Sequence, residues 1–165
     1  MPAPKLMVRR ARPIDAAPIA DFISAATSGR LRATEDEVLD RMGARGFFVA
    51  LAESLVGVAG WTAENLVARI EDLIVYPVEL RPTAGRELLA AVENAAHELE
   101  CEAALLLVPR RVSRAAMTFY ESCGFAFREM GELPDAWRES AQAAVSDDRL
   151  VLVKQLRAEL VSRPI

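Results

Sequence analysis

The run A-A-L-L-L-V, residues 103–108, sets the tightest limit on how this chain can fold. Six apolar residues in a row, too few for an ordinary buried helix, form a strand that is apolar on both faces. Such a strand needs cover above and below, so the sheet that holds it carries helices on both sides. Helical spacing precedes it over residues 83–100, where Leu88, Leu89, Val92, Ala95, Ala96 and Leu99 recur on one face. After it, Ser113 stands where an N-cap belongs, R-A-A-M-T-F-Y-E-S-C reads as a compact helix, and Gly124 stops it.

Upstream, residues 6–12 alternate apolar and charged side chains as a half-buried strand does. Asp15 can cap a helix that carries Ile19, Phe22, Ile23 and Ala26 on one face and stops at Ser28-Gly29. Thr34 and Glu37 make a capping box in T-E-D-E and open a second helix with Val38, Leu39 and Met42 inward. Residues 47–51 and 55–61 read as a hairpin. Residues 65–77, N-L-V-A-R-I-E-D-L-I-V-Y-P, make a long strand ended by proline, with two adjacent acids among its β-formers. A charge inside a sheet costs free energy unless it is paired or functional. Residues 125–127 begin another strand and 149–156 supply the last. Between them P-D-A-W-R-E-S-A-Q-A-A-V reads either as a helix or as an irregular excursion. The order predicts an α/β chain, one mixed sheet with helices on both faces.

At 165 residues, 52% hydrophobic and 27% charged, the chain is expected to form a single domain over residues 1–165, with 1–5 as a flexible tail. No stretch is long and apolar enough for a membrane span, and M-P-A-P-K leads into a short alternating run without a long apolar segment, so a cytoplasmic location without a membrane partner is expected. A net charge of −4 argues against a nucleic-acid partner. Cys101 and Cys123 lack the spacing of a metal or redox motif, so no metal is expected and both thiols read as structural. His97, the only histidine, falls on a polar helix face and leaves no serine-histidine-acid triad to build.

Between strand and helix lies L-R-P-T-A-G-R-E-L-L, residues 80–89. Helix N-termini expose unpaired N–H groups at the positive end of the dipole, so this junction suits an anion. Taken with E-D-L-I-V-Y-P before it and S-R-A-A-M-T-F-Y-E-S-C-G-F after it, the stretch resembles the GNAT superfamily of N-acetyltransferases, a fold that binds acetyl-coenzyme A. The resemblance covers residues 6–156 and implies a mostly antiparallel central sheet of about seven strands flanked by helices. The family turn reads Arg or Gln, two residues, Gly, one residue, then Gly or Ala. Aligned without a gap, Leu80 falls at the first of these positions, Thr83 at the first glycine and Gly85 at the second, so two of the three depart from the pattern. Gly85 permits close backbone approach, and the N–H groups of Thr83, Ala84, Gly85 and Arg86 lie at the helix start. Pro82 removes one donor, while Arg81 and Arg86 can add charge toward a diphosphate. The plainer reading is that Pro82-Thr83 only starts a helix.

The resemblance also implies roles. Leu73, Ile74 and Val75 would pair through their backbone with the pantetheine arm, and Ser113 takes the place of an asparagine often found there. Glu71 is the implied base and Asp72 a structural partner of an arginine. Tyr120 is the implied acid, protonating the coenzyme A sulfur. An amine of pKa ~10 is mostly protonated at neutral pH, which is why a positioned carboxylate helps. Beside these stand the readings that both acids only pair with arginines and that Tyr120 only packs beside Phe119. The acceptor, a primary amine of a small molecule or a protein, would be held by residues 28–32, Trp61 and the Trp137 segment. Net acidity favours a cationic acceptor, whereas Arg30, Arg32, Arg110 and Arg111 favour an acidic one. Relatives are often dimers, which makes a homodimer an expectation. The alternative is a noncatalytic domain of the same fold, whose altered turn serves acyl-coenzyme A binding or protein association.

Overall fold

The computed structural model describes residues 5–44, 46–144 and 149–158. Its elements are β1 (Met7–Arg10), α1 (Ala16–Ala26), α2 (Glu35–Ala44), β2 (Gly46–Ala52), β3 (Ser54–Glu64), β4 (Val67–Val75), α3 (Arg86–Glu98), β5 (Ala103–Pro109), α4 (Arg114–Ser122), β6 (Ala126–Phe127), α5 (Asp135–Ala144) and β7 (Arg149–Gln155). The strands form a 7-stranded sheet in the order β1-β2-β3-β4-β5-β7-β6. β4 and β5 run parallel, whereas β1–β2, β2–β3, β5–β7 and β6–β7 are antiparallel, so the sheet is mixed and mostly antiparallel, as expected. The chain divides into two compact units, Met1–Trp61 with Asp72–Val92, and Thr62–Glu71 with Glu93–Ile165.

In the first unit the expected capping box forms: the Glu37 N–H donates to Thr34 Oγ1 at 3.2 Å and the Thr34 N–H to Glu37 Oε2 at 3.1 Å. Ile19, Ala20 and Ile23 of α1 and Val38 of α2 close over Val49 of β2 and Val58 of β3. Gly57, next to Val58 and so on the opposite face, lies against α3; a Cβ there would stand 2.9 Å from Leu88 Cδ1. Helices therefore cover both faces of this part of the sheet. The β2–β3 hairpin turns at Glu53, which takes φ 70°. Asp15 departs from expectation. Instead of capping α1, its carboxylate turns back to accept from the Arg12 N–H at 2.6 Å and from Arg9 at 2.7 and 2.9 Å, closing the 3-10 turn Pro13–Asp15.

In the second unit Ala103, Leu105 and Leu107 join Val67, Val151 and Val153 beneath Leu133, Trp137 and Ala141. Ala104, Leu106 and Val108 alternate onto the other face and are buried as well, which is the two-sided burial the apolar run demanded. β4 starts at Val67 rather than at residue 65 because Asn65 and Leu66 turn with φ 53° and 63°. The segment left open between helix and excursion is a helix, α5. It docks through Trp137, 1% exposed, whose indole N–H donates to Glu102 Oε2 at 3.3 Å. Glu102 is fully buried; its N–H donates to the Leu66 carbonyl and its carbonyl accepts from the Leu156 N–H, each at 2.7 Å. Ser113 caps α4 by accepting from the Ala116 N–H at 3.1 Å, and Gly124, φ 94°, ends it. Among the described residues no helix is long and apolar enough to cross a membrane.

Candidate active site

The strand-to-helix junction belongs to the first unit. Val78–Leu80 make a 3-10 turn and Arg81–Gly85 a π-type turn that runs into α3 at Arg86. The regular helix thus begins three residues later than its apolar spacing suggests, because the proline-bearing turn winds more widely. Ala84 and Gly85 are buried, Arg81 is half-buried, and Thr83 and Arg86 are exposed. The Thr83 hydroxyl donates to the Leu80 carbonyl at 3.0 Å. The Arg86 N–H, expected as an available donor, already bonds the Thr83 carbonyl. In the strand before the turn, Leu73, Ile74 and Val75 are half-buried, with Ile74 packed against the α1–α2 cluster.

Asp72 pairs with Arg41 of α2. Arg41 also lies over the Phe47 ring, 5.3 Å from its centroid. Gly60 makes the room: a Cβ there would stand 3.0 Å from Asp72 Oδ2 and 3.0 Å from the Phe47 ring. Trp61 is buried, and its indole N–H has no hydrogen-bond partner among the described residues. It crosses Gly46 so closely that a Cβ there would come 2.5 Å from Nε1.

Glu71 and Tyr120 belong to the second unit. The parallel β4–β5 register runs from Val67↔Ala103 to Ile70↔Leu106, and Glu71 follows directly. Arg69 shares its face of the strand at a spacing of two and donates from Nε to Glu71 Oε1 at 2.6 Å; the side chains are 14% and 10% exposed. Arg69 also donates from Nη1 to the Ser140 carbonyl of α5 at 3.2 Å, and Arg149 Nη1 reaches the Glu71 carbonyl at 3.4 Å. Tyr120, 8% exposed on α4, sets its ring 5.5 Å from that of Phe119 at 56°, and its carbonyl accepts from the Phe125 N–H at 3.1 Å.

One expectation needs correction, and three residues were missed. Trp137 does not stand at a surface where an acceptor could reach it, because its ring fills the core between α5 and the sheet. Arg69, Ser140 and Arg149 went unnoticed in the sequence, although the R-x-E spacing of Arg69 and Glu71 was a usable signal of a same-face pair. His97 is exposed in the last turn of α3, in keeping with a surface role.

The model of the acetyltransferase (GNAT) family matches residues 16–125. No curated protein matches the chain. Among solved structures, an acetyltransferase of the GNAT family from Staphylococcus aureus Mu50 is 15% identical over 93% of this chain and 100% of its own, with a TM-score of 0.73. N-acetylglutamate synthase from Neisseria gonorrhoeae, complexed with coenzyme A and N-acetyl-glutamate, is 19% identical over 93% of this chain and 35% of its own, with a TM-score of 0.70. The PaiA N-acetyltransferase from Thermoplasma acidophilum, in complex with coenzyme A, is 14% identical over 92% of this chain and 99% of its own, with a TM-score of 0.70. These likenesses establish a common fold, and the family match spans well over half of the sequence, from α1 to the residue after Gly124: the chain belongs to the acetyltransferase (GNAT) family.

Proposed function

We propose that the protein is an acetyl-coenzyme A-dependent N-acetyltransferase acting on a primary amine of a small molecule or a protein. Membership of the family supports this, as does likeness to two chains whose structures contain coenzyme A. The residues of the turn fit a diphosphate. Two of the smallest side chains, Ala84 and Gly85, are buried where the backbone enters the 13-residue helix α3, and Arg81 and Arg86 add positive charge. The co-substrate supplies an acetyl group already activated as a thioester. Leu73, Ile74 and Val75 offer strand backbone toward its arm, and Ser113 fixes the start of the helix that bears Tyr120.

The observation that carries the reading is the Glu71 carboxylate, fixed on its strand face by Arg69 at 2.6 Å, a pairing that the plainer reading of an acid that only pairs with an arginine also expects. A carboxylate locked in one rotamer is pre-organised to take the proton of an incoming ammonium, directly or through a water. Arg69 and Asp72 do not touch the reacting atoms in this scheme; they set the strand and its side chains. The Tyr120 hydroxyl donates its proton to the departing sulfur, and the packing of its ring against Phe119 limits its excursions.

The experiment is a thermal unfolding titration with acetyl-coenzyme A, beside coenzyme A and ATP, followed by thiol release with a panel of amines. Saturable stabilisation by coenzyme A species alone is expected, about 2.7 kcal/mol at 100 times Kd. Tyr120→Phe should lower kcat by about 10²-fold with Kd for acetyl-coenzyme A unchanged, and Glu71→Gln should remove the limb of the pH–rate profile on which the rate rises with pH. Parent-like turnover of Tyr120→Phe would exclude the acid role. A noncatalytic role has one observation in its favour: Pro82 lacks an N–H and the Arg86 N–H is already bonded, which leaves fewer donors for a phosphate. No stabilisation at millimolar acetyl-coenzyme A would support that second reading.

A further inference from the structure

Lys154 has no role in the scheme above, yet its ammonium is engaged on three sides. It donates to Glu93 Oε1 of α3 at 2.8 Å and to the Cys123 carbonyl at 2.9 Å, and it lies 5.9 Å from the centroid of the Phe125 ring. An ammonium has three donors and no acceptor, so a carboxylate, a carbonyl and a ring face make a full set of partners. The side chains of Lys154 and Glu93 are 28% and 17% exposed. In β7 Lys154 stands opposite Ala104 and next to Val153, which packs with α5; it therefore occupies the other face of the sheet.

What these contacts surround is the C-terminus of α4. The helix closes with two reversed bonds: the Gly124 N–H donates to the Glu121 carbonyl at 3.0 Å and the Phe125 N–H to the Tyr120 carbonyl at 3.1 Å. Tyr120 is thus the residue at which the closing motif begins. Lys154 takes the carbonyl of Cys123, the cap residue, and brings its charge to the negative end of the helix dipole. Its stem runs against the same turn, where a Cβ on Gly124 would stand 3.0 Å from Lys154 Cε. Glu93 in turn holds the ammonium from α3. We propose that Lys154, held by Glu93, is a positioning residue of the acetyl transfer: through the Cys123 carbonyl it fixes the last turn of α4, and with it the Tyr120 hydroxyl. The inference rests on the reading of Tyr120 as the acid.

The test combines Lys154→Met with Tyr120→Phe in a double-mutant cycle. Methionine keeps an unbranched apolar stem on the turn and removes the charge and both hydrogen bonds. Rates are read by thiol release from acetyl-coenzyme A, well below the melting midpoint of each variant. Lys154→Met alone should lower kcat by about 10- to 100-fold, the effect of a misplaced catalytic group, with KM for both substrates unchanged. In the Tyr120→Phe background the same change should lower kcat by less than about twofold, because no hydroxyl is left to misplace. Glu93→Gln, which keeps an acceptor for the ammonium without the charge, should show a smaller part of the loss, and it replaces Lys154→Met in the cycle if that variant does not fold. Equal losses in both backgrounds, or a change in KM instead of kcat, overturn the proposal and leave a lysine that only holds the fold. If Tyr120→Phe turns over like the parent, or no amine is acetylated, the acid reading fails, and the placement of the ring is judged without catalysis by nitration with tetranitromethane. Of the two tyrosines, the parent should react at Tyr76, 56% exposed, and be spared at Tyr120, 8% exposed. Nitration of Tyr120 in Lys154→Met but not in Gly57→Ala, a variant strained elsewhere, upholds the placement. Equal protection of Tyr120 in Lys154→Met and the parent removes it, as does equal nitration in both variants.

Discussion

Asparagine in place of Asp15 isolates the charge of one ion pair. The carboxylate lies 2.7 and 2.9 Å from the Arg9 guanidinium and 2.6 Å from the Arg12 N–H. The hydrogen bond from Arg9, aided by the Arg12 N–H and against the penalty of burial, brings the pKa down from 3.8 to about 2. A change of that size corresponds to about 2.4 kcal/mol between the ionised and neutral forms. The side chains of the pair are 26% and 15% exposed, so solvent screens the interaction and about 1–1.5 kcal/mol is the expected realised part. The sign follows from the direction of the shift. The unfolded chain binds the proton first as pH falls, so the contribution is complete well above pH 3.8, declines between there and pH 2, and is absent below. At this chain length 1 kcal/mol moves Tm by roughly 2–4 °C. Asp15→Asn should therefore melt about 2–6 °C below the parent at pH 7, and the gap should close toward pH 2. Asparagine still offers an oxygen to the Arg12 N–H, so the loss reports the charge. The assay is far-ultraviolet circular dichroism melts of both proteins from pH 7 to 2 at low salt. A gap that stays constant over this range would refute the reasoning, as would no gap at neutral pH.

Packing and thiol chemistry offer two further checks. Gly57→Ala would place a methyl group 2.9 Å from Leu88 Cδ1 and 3.3 Å from the Ile74 carbonyl oxygen, and backbone does not yield as a side chain does. A loss of about 1–3 kcal/mol in urea denaturation is expected, and unchanged stability would show that α3 can lift off the sheet without cost. Burial pushes the Cys101 thiol up, whereas Cys123 is half-buried, so iodoacetamide at pH 8 should label Cys123 first and Cys101 only in urea. Mass spectrometry reads the order directly, and prior labelling of Cys101 would contradict the burial of the α3–β5 junction.

What the sequence reveals of this fold is what lies within a few residues of itself. The Thr34–Glu37 box, the Ser113 cap, the Gly124 stop and the two-faced burial of A-A-L-L-L-V are each decided by neighbours in the chain. Asp15 shows where local reading fails: the residue is right for a cap, but Arg9, six residues back in β1, and the Arg12 N–H draw its carboxylate away from the N–H groups of α1, and the bond to the charged guanidinium is the stronger kind. The same reason hides most of the candidate site. Glu71 and Asp72 can be singled out as acids in a strand, yet their partners Arg69 and Arg41 differ in kind. Arg69 is two residues off on the same face, and Arg41 arrives from α2 through the topology. Ser140 and Arg149 belong to elements that follow Glu71 by most of the second unit, and nothing in R-I-E-D specifies them. Trp137 carries no sign of whether its indole will meet a ligand or a buried carboxylate; only the position of Glu102 decides it.

The placement of β7 bears on how the chain is made. All seven residues of β5, Ala103 to Pro109, pair with β7, from Gln155 to Arg149, and β6 joins the sheet through β7 alone. On the ribosome the most apolar strand therefore emerges about 40 residues ahead of the partner that closes its edge. At a synthesis rate of about 5–20 residues per second the edge stays open for roughly 2–8 s, with α4, β6 and α5 emerging in the interval. An open edge of this composition is a template for other chains, so the nascent protein depends on a chaperone or on speed for that interval. A chain cut anywhere before Arg149 never leaves it.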